Sequence, residues 1–138
     1  MTILKNLGLQ NRNPLNLRYQ ASRHYLGLHP TMPCVKGFCN FLTFDYGYRA
    51  AVVAMLRLIR DYPCISVVQM IRCLTMLPHS HFTLYVACIR GRSRLKAMDT
   101  MLPNGPQIGR LVAAIAQQET GLHPVPEYID DLRKRFGL

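Results

Sequence analysis

The chain has few acidic side chains. Of its 138 residues only 7 are aspartate or glutamate, against 17 lysines and arginines, which gives a formal net charge of +10. Just two of the acidic residues, Glu119 and Glu127, are glutamates. A surplus of positive charge favours contact with polyanions such as nucleic acid, anionic lipid headgroups or acidic cell-wall polymers. A catalytic or metal site that needs several carboxylates can therefore be built from only seven residues.

Long apolar runs are also missing. The longest, residues 50–56, is far too short to cross a membrane, so no membrane span is expected. The first residues, M-T-I-L-K-N-L-G-L-Q, lack the continuous apolar core of a secretory signal. We therefore expect a cytoplasmic protein that would leave the cell inside a virion, after lysis or by another secretion route.

The chain contains no C-x-x-C pair and no glycine-rich phosphate loop. Its five cysteines are an odd number, and most have apolar neighbours in the sequence, as buried small hydrophobes do. They are predicted to be reduced and mostly buried, although the spacing of Cys34 and Cys39 leaves a disulfide between them open. No cofactor is predicted. The H-x-H pair His79 and His81 lacks a third ligand, so no metal site is predicted either.

The length suits one domain. Prolines and asparagines in residues 1–33 predict irregular structure there, and residues 36–44 predict a short strand or an extended approach to a helix. Apolar periodicity then predicts five helices. They are a long helix from an Asp45 N-cap to Tyr62, one capped by Ser66 and ending before Pro78, and three more over residues 80–89, 105–120 and 127–136.

Several segments, taken in order, resemble one known family. Residues 13–19, N-P-L-N-L-R-Y, resemble the family's N-N-P-x-N-I-R, and residues 25–27, Y-L-G, resemble its W-x-G. Residues 37–41 and 45–51, G-F-C-N-F and D-Y-G-Y-R-A-A, resemble F-C-x-F and x-Y-G-x-R-A-A, while residues 113–121 resemble A-M-A-x-Q-E-N-G. The family is that of lysozyme-like phage structural proteins, related to the virion-associated lytic enzyme of enveloped double-stranded-RNA phages.

The resemblance implies a mainly α, small single-domain lysozyme-like fold with an irregular amino-terminal portion and a short β-hairpin. It divides the chain into an extension over residues 1–12 and a lysozyme-like domain over residues 13–138. It implies a peptidoglycan partner, with Asn16, Tyr25, Arg49 and Tyr85 as candidate substrate-binding residues. Tyr25 is either a sugar-stacking platform or core filler, and Arg49 either lines a glycan groove or holds the amino-terminal loop.

One segment departs from the family's pattern R-W-A-P-x-x-E-N-x-T-x-x-Y-V. Leu74 stands at the Trp position, His79 at the Glu, Ser80 at the Asn and Phe82 at the Thr, whereas Tyr85 and Val86 are retained. If the family's chemistry depends on that glutamate, this chain has lost it. The departure favours a degenerate or repurposed member of the family.

Glu119 is the best remaining candidate for a catalytic acid. Residues 114–124, A-I-A-Q-Q-E-T-G-L-H-P, resemble the A-I-x-x-x-E-S-x-x-x-P stretch that carries the acid of lytic transglycosylases, in which one glutamate suffices because the sugar's own substituent completes the reaction. Retaining and inverting hydrolases need a second carboxylate. An active protein would thus cleave peptidoglycan glycan as a lytic transglycosylase or muramidase. The other interpretation of Glu119 is a structural or solvent-facing helix residue.

Two further functions stay open at this point. The same fold could serve as a non-enzymatic structural or interaction protein of a phage or mobile element. Alternatively, the positive charge, which is densest over residues 90–96, R-G-R-S-R-L-K, could bind nucleic acid, although no recognised nucleic-acid motif is present. That basic cluster is equally typical of a solvated loop between helices.

Overall fold

The computed structural model describes residues 2–75, 77 and 79–138. Within these ranges there are six helices and one two-stranded antiparallel sheet, so the mainly α prediction is confirmed. The elements are α1 (Thr2–Gln10), β1 (Cys34–Val35), β2 (Phe38–Cys39), α2 (Phe44–Asp61), α3 (Val67–Thr75), α4 (His79–Ser93), α5 (Gln107–Thr120) and α6 (Pro126–Phe136).

Helices α2 and α5 supply the centre of the core. The α2 side chains Ala50, Val52 and Met55 are fully buried, and so are Ile108 and Ile115 of α5. Helix α5 contacts α1, α2, α4 and α6, which makes it the element around which the others pack. These four helices therefore hold α5 in place, and with it the side chains of its last turn.

The start of α2 differs from the prediction that Asp45 is its N-cap. Thr43 caps the helix, with its hydroxyl accepting a hydrogen bond from the backbone N–H of Tyr46 at 3.2 Å. Asp45 instead accepts a short hydrogen bond from the Tyr128 hydroxyl and pairs with Arg135 at 3.5 Å. The carboxylate is drawn away from the helix end because α6 offers it two donors, which joins α2 to α6.

Helix α3 begins as predicted. The Ser66 hydroxyl accepts from the backbone N–H of Gln69 at 3.2 Å, and the Gln69 side chain accepts from the backbone N–H of Ser66 at 2.9 Å. This reciprocal capping box satisfies two backbone donors at the helix start. The helix ends at Thr75, and Pro78, the residue predicted to lie just beyond the helix end, lies outside the described residues.

The amino-terminal segment is more ordered than the sequence indicates. The prediction of irregular structure over residues 1–33 is wrong for Thr2–Gln10, which form α1 within the predicted extension. The helix buries Leu7 and packs on α5 at Gly8, where an added Cβ would lie 2.5 Å from Thr120 Cγ2. Packing against α5 stabilises a segment whose own pattern is weak, since short helices depend on tertiary contacts.

Asn13 fixes the irregular chain that follows α1. Its side chain is fully buried, and its amide nitrogen donates to the carbonyls of Leu17 at 3.0 Å and Cys39 at 3.1 Å. Its amide oxygen accepts from the Leu17 backbone N–H at 2.9 Å. One side chain thus closes its own loop and binds that loop to the predicted hairpin, in which Cys34 faces Cys39 and Val35 faces Phe38.

The cysteines are mostly not buried, contrary to the prediction. All five lie within the described ranges and are free, but Cys34, Cys64 and Cys73 are exposed and Cys88 is intermediate. Only Cys39 is buried, and burial raises the pKa of its thiol to about 12. Apolar neighbours in the sequence did not indicate burial because the exposed thiols lie in a hairpin, a loop and the outer face of α3.

We expect Asn13→Ala to lower the free energy of unfolding by about 2–4 kcal/mol, because it removes three hydrogen bonds and leaves buried backbone groups unpaired. Urea unfolding followed by circular dichroism measures this. Asn104→Ala, at an exposed position, is the matched control and should change stability by less than about 0.5 kcal/mol. Equal effects of the two substitutions would contradict the role given to Asn13.

Candidate functional site

A cleft of about 180 Å³ lies where α1, the amino-terminal loop, the hairpin, α4 and the end of α5 meet. Its polar lining includes Asn16, Tyr85, Gln118 and Glu119. Apolar side chains close the remaining sides, namely Leu4, Phe38, Leu74 and Leu77. Three of the five site residues predicted from the sequence, Asn16, Tyr85 and Glu119, are therefore brought together by the fold.

Glu119 lies in the last turn of α5. The helix ends at Gly121, whose φ of 76° is left-handed and whose backbone N–H donates to the Gln117 carbonyl at 3.0 Å. Glycine adopts this conformation without steric cost, so the helix stops just beyond the carboxylate. Burial disfavours the charged form and raises the pKa of Glu119 to about 7, while interaction with the Tyr85 hydroxyl lowers it by a smaller amount.

Tyr85 stands beside Glu119 on α4, and its side chain is only 6% exposed. Its hydroxyl interacts with the Glu119 carboxyl but falls short of a well-formed hydrogen bond, and it has no other partner among the described residues. The pKa of Tyr85 is raised, first by burial and then by the Glu119 charge. A buried hydroxyl without a partner is costly, so a hydrogen-bonding group that entered the cleft would find a free partner in the Tyr85 hydroxyl.

Asn16 shapes the cleft more than it reaches into it. Its backbone has a left-handed φ of 52°, which asparagine tolerates better than most residues. The amide nitrogen donates to the Leu4 carbonyl of α1 at 3.2 Å, and the amide oxygen faces Gly8, where an added Cβ would lie 2.6 Å away. Asn16 therefore holds α1 in place as one wall.

The rim of the cleft is basic. Lys5 and Arg18 line it, and the Arg18 guanidinium lies 5.1 Å from the centre of the Phe38 ring. Arg92 donates a hydrogen bond of 2.7 Å to the Gln118 side chain. Among the described residues that line the cleft, Glu119 is the sole carboxylate, so its surroundings attract anionic groups.

Arg49 and Tyr25 do not line this cleft. The Arg49 guanidinium lies 5.4 Å from the centre of the Phe136 ring and so contacts α6. Tyr25 is 8% exposed, packs 6.3 Å from Phe41 between ring centres, and carries the Arg57 guanidinium over its ring. Tyr25 borders a separate small hollow, and its burial makes it part of the core edge rather than an open stacking surface.

The segment that departs from the family pattern borders the cleft through Leu74 and Leu77. Phe82 is buried beneath the Arg72 guanidinium, 3.9 Å from its ring centre. The side chain of His79 lies outside the described part of the chain, and His81 is exposed. Among the described residues, no group of three or more histidine, cysteine or acidic side chains could hold a metal ion.

Sequence reasoning missed Lys5 and Leu4, because α1 was not predicted, and it missed the placement of Phe38. Part of the signal for Phe38 was available, since a short strand was predicted over residues 36–44, but its antiparallel bridge with Arg18 is formed only in the folded structure. A larger hollow of about 540 Å³ lies near the end of α2 and α3, lined by residues such as Tyr62, Cys64 and Cys73. It is mainly apolar, and the carboxylate among its described lining residues, Asp61, is exposed. The smaller cleft places a partly buried carboxyl beside a buried hydroxyl and is therefore the better candidate for chemistry.

Comparison of the sequence with protein-family models and with curated proteins gives no match. None of the helices within the described ranges is both long and apolar enough to cross a membrane.

We expect Glu119→Gln to stabilise the protein at alkaline pH. The pKa of Glu119 is raised to about 7 from an ordinary value of 4.5, so the folded protein binds this proton more tightly than the unfolded chain. The wild type therefore loses stability as pH rises from about 4.5 to about 7. Because Glu119 is not fully enclosed, solvent screening reduces this loss, which we expect to be on the order of 2 kcal/mol. The variant lacks this loss, and urea unfolding at pH 5 and pH 8 measures the difference. Glu127→Gln, which changes an exposed glutamate, is the control; a pH-independent gap between wild type and Glu119→Gln would contradict the burial argument.

Proposed function

We propose that the protein is a lysozyme-like domain that cleaves peptidoglycan glycan, with Glu119 as its single catalytic acid. The observation that carries the proposal is a glutamate inside a cleft with a pKa raised to about 7, so that a large fraction is protonated near neutral pH. A general acid works best when its pKa lies near the working pH. An ordinary solvated glutamate would be almost fully ionised there and could donate no proton.

The reaction requires one carboxyl group that acts twice. Glu119 first donates its proton to the glycosidic oxygen, and the bond between that oxygen and the anomeric carbon breaks. The resulting carboxylate then accepts a proton from a hydroxyl of the sugar that carries the anomeric carbon. The oxygen of this hydroxyl bonds to the anomeric carbon at the same time. The proton count balances, and no second carboxylate is needed, in contrast to two-carboxylate hydrolases.

Tyr85 and the basic rim support this role. The Tyr85 hydroxyl, which lacks another partner among the described residues, would hold the glycosidic oxygen or the carboxyl in place during transfer. Lys5 and Arg18 suit the carboxylates that peptidoglycan carries. The volume of about 180 Å³ is below that of pockets which enclose whole ligands, so one unit of the polymer would enter while the rest lies along the surface.

The resemblance to lysozyme-like phage proteins agrees with this assignment at the positions that matter. Residues 13–19 supply Asn16 and Arg18, and residues 113–121 supply Glu119. The family glutamate that is replaced by His79 is compensated in this proposal by Glu119. The protein would meet the cell wall as part of a virion or after lysis.

We expect wild-type protein to reduce the turbidity of purified peptidoglycan and Glu119→Gln to be inactive, with at least a 100-fold lower rate, because general acid catalysis contributes about 10²–10⁴-fold. The rate should fall as pH rises above about 7, because the proton is then lost from Glu119. Tyr85→Phe removes the group that lowers the pKa of Glu119, so this alkaline limb should move to higher pH. Glu127→Gln should behave as wild type.

The controls separate an enzyme from a wall-binding protein. Circular dichroism confirms that each variant is folded, and sedimentation with peptidoglycan measures binding separately from cleavage. Binding by wild type and Glu119→Gln alike, with no turbidity loss by either, would overturn the catalytic role and favour a structural protein. Activity retained in Glu119→Gln would show that another residue is the catalytic acid.

A further inference from the structure

The basic cluster at the end of α4 lines a second hollow, which is shallow and open to solvent. A hollow of about 410 Å³ is lined by Ala87, Arg90, Gly91, Arg94, Leu95 and Lys96, and we name it the basic hollow. The three cationic side chains are exposed, and no carboxylate lines the hollow among the described residues. The salt bridges found within the described ranges, Arg60–Asp61 and Arg135–Asp45, do not involve them.

This arrangement costs the fold stability. Arg90, Arg94 and Lys96 line the same hollow, and like charges held close together repel each other. Arg94 also has a left-handed φ of 60°, a conformation in which glycine is the residue of lowest cost. The turn is nevertheless well formed, because the Arg94 backbone N–H donates to the Arg90 carbonyl at 2.8 Å and Leu95 is buried.

The helix end alone does not explain the cluster. Cations in the last turn of a helix interact favourably with its terminal carbonyls, which accounts for Arg90 and Arg92. It does not account for Lys96, which lies beyond the helix, or for an arginine at the left-handed position. Arg92 points elsewhere, to Gln118 at the rim of the cleft. The remaining three cations therefore converge without a counter-charge of their own.

We propose that the basic hollow binds the phosphate groups of a flexible polyol-phosphate polymer and so holds the protein on an anionic surface independently of Glu119. Arginine and lysine are the side chains that bind phosphate, through forked and point-charge hydrogen bonds respectively. Among the described residues that line the hollow there is no aromatic side chain on which the bases of a single-stranded nucleic acid could stack. The hollow is formed by the end of a helix and the loop after it, and it does not present the side of a helix or a two-stranded ribbon of the kind that enters the major groove of a duplex.

The test uses fluorescence anisotropy with a labelled oligo(glycerol phosphate) across a range of salt concentrations. The triple variant Arg90→Gln/Arg94→Gln/Lys96→Gln should bind at least about tenfold more weakly at low salt. The slope of log affinity against log salt should become shallower by roughly 2, since each phosphate contact on a single chain contributes about 0.7. Its matched control, Arg60→Gln/Arg110→Gln/Lys134→Gln, removes the same charge from exposed positions outside the hollow and should lose less than about twofold.

A single substitution separates loss of binding from loss of folding. Arg94→Gly removes one cation but places the preferred residue at the left-handed position, so it should raise the thermal unfolding midpoint while weakening binding. Glu119→Gln should bind the polymer as wild type does, which keeps this result distinct from the outcome of the peptidoglycan assay.

Two results would overturn the proposal. Equal loss of binding in the two triple variants would mean that net charge, rather than the hollow, holds the polymer. Tighter binding of a single-stranded DNA oligonucleotide with the same number of phosphates, lost in the basic-hollow variant, would make the ligand a nucleic acid.

Discussion

The buried amide of Asn13 is the contact on which the cleft depends. It binds the amino-terminal loop to the hairpin through the carbonyl of Cys39 while closing the loop onto Leu17. That loop carries Asn16 and Arg18, and the hairpin carries Phe38. The loop also buries Leu15 and Leu17 in the core, and these contacts together with the buried hydrogen bonds offset the entropy of ordering it. The polar wall of the cleft therefore depends on a side chain, Asn13, that does not itself line the cleft.

Glu119 shows how a helix end can prepare an acid without a second charge. The last turn of α5 is held by its neighbours, Gly121 ends it, and Tyr85 covers one side of the carboxyl. Desolvation raises the pKa, and among the described residues no salt bridge to the Glu119 carboxylate is found that would restore the ionised form. A guanidinium in direct contact would have lowered the pKa and removed the proton that acid catalysis needs. The position of the basic groups, rather than their number, decides what Glu119 can do.

The sequence predicted the long helices well because their apolar periodicity and caps are local. Ser66 and Gln69 are three residues apart, and the stripe of α2 repeats with the helix period. The choice of Glu119, Tyr85 and Asn16 placed three residues at one cleft, although they lie far apart in the chain. The predictions that were wrong depend on tertiary contacts. Helix α1 is stabilised by packing on α5 at Gly8, and Asp45 bonds side chains of α6 instead of capping α2. The exposure of the cysteines is decided by the side of each element that faces solvent. None of these could be predicted from neighbours in sequence.

Helix α1 lies on α5 at Gly8, and its Leu4 and Lys5 close one side of the cleft. Its apolar side chains are only partly covered, since Ile3 is 77% exposed and Leu4 40% exposed. Such a segment opens at lower free energy than the core. The amide protons of α1 should therefore exchange with solvent faster than those of α5, and their exchange rate would report how often the cleft stands open. Entry of a long polymer would then follow the fraying of a single short helix instead of the movement of a domain.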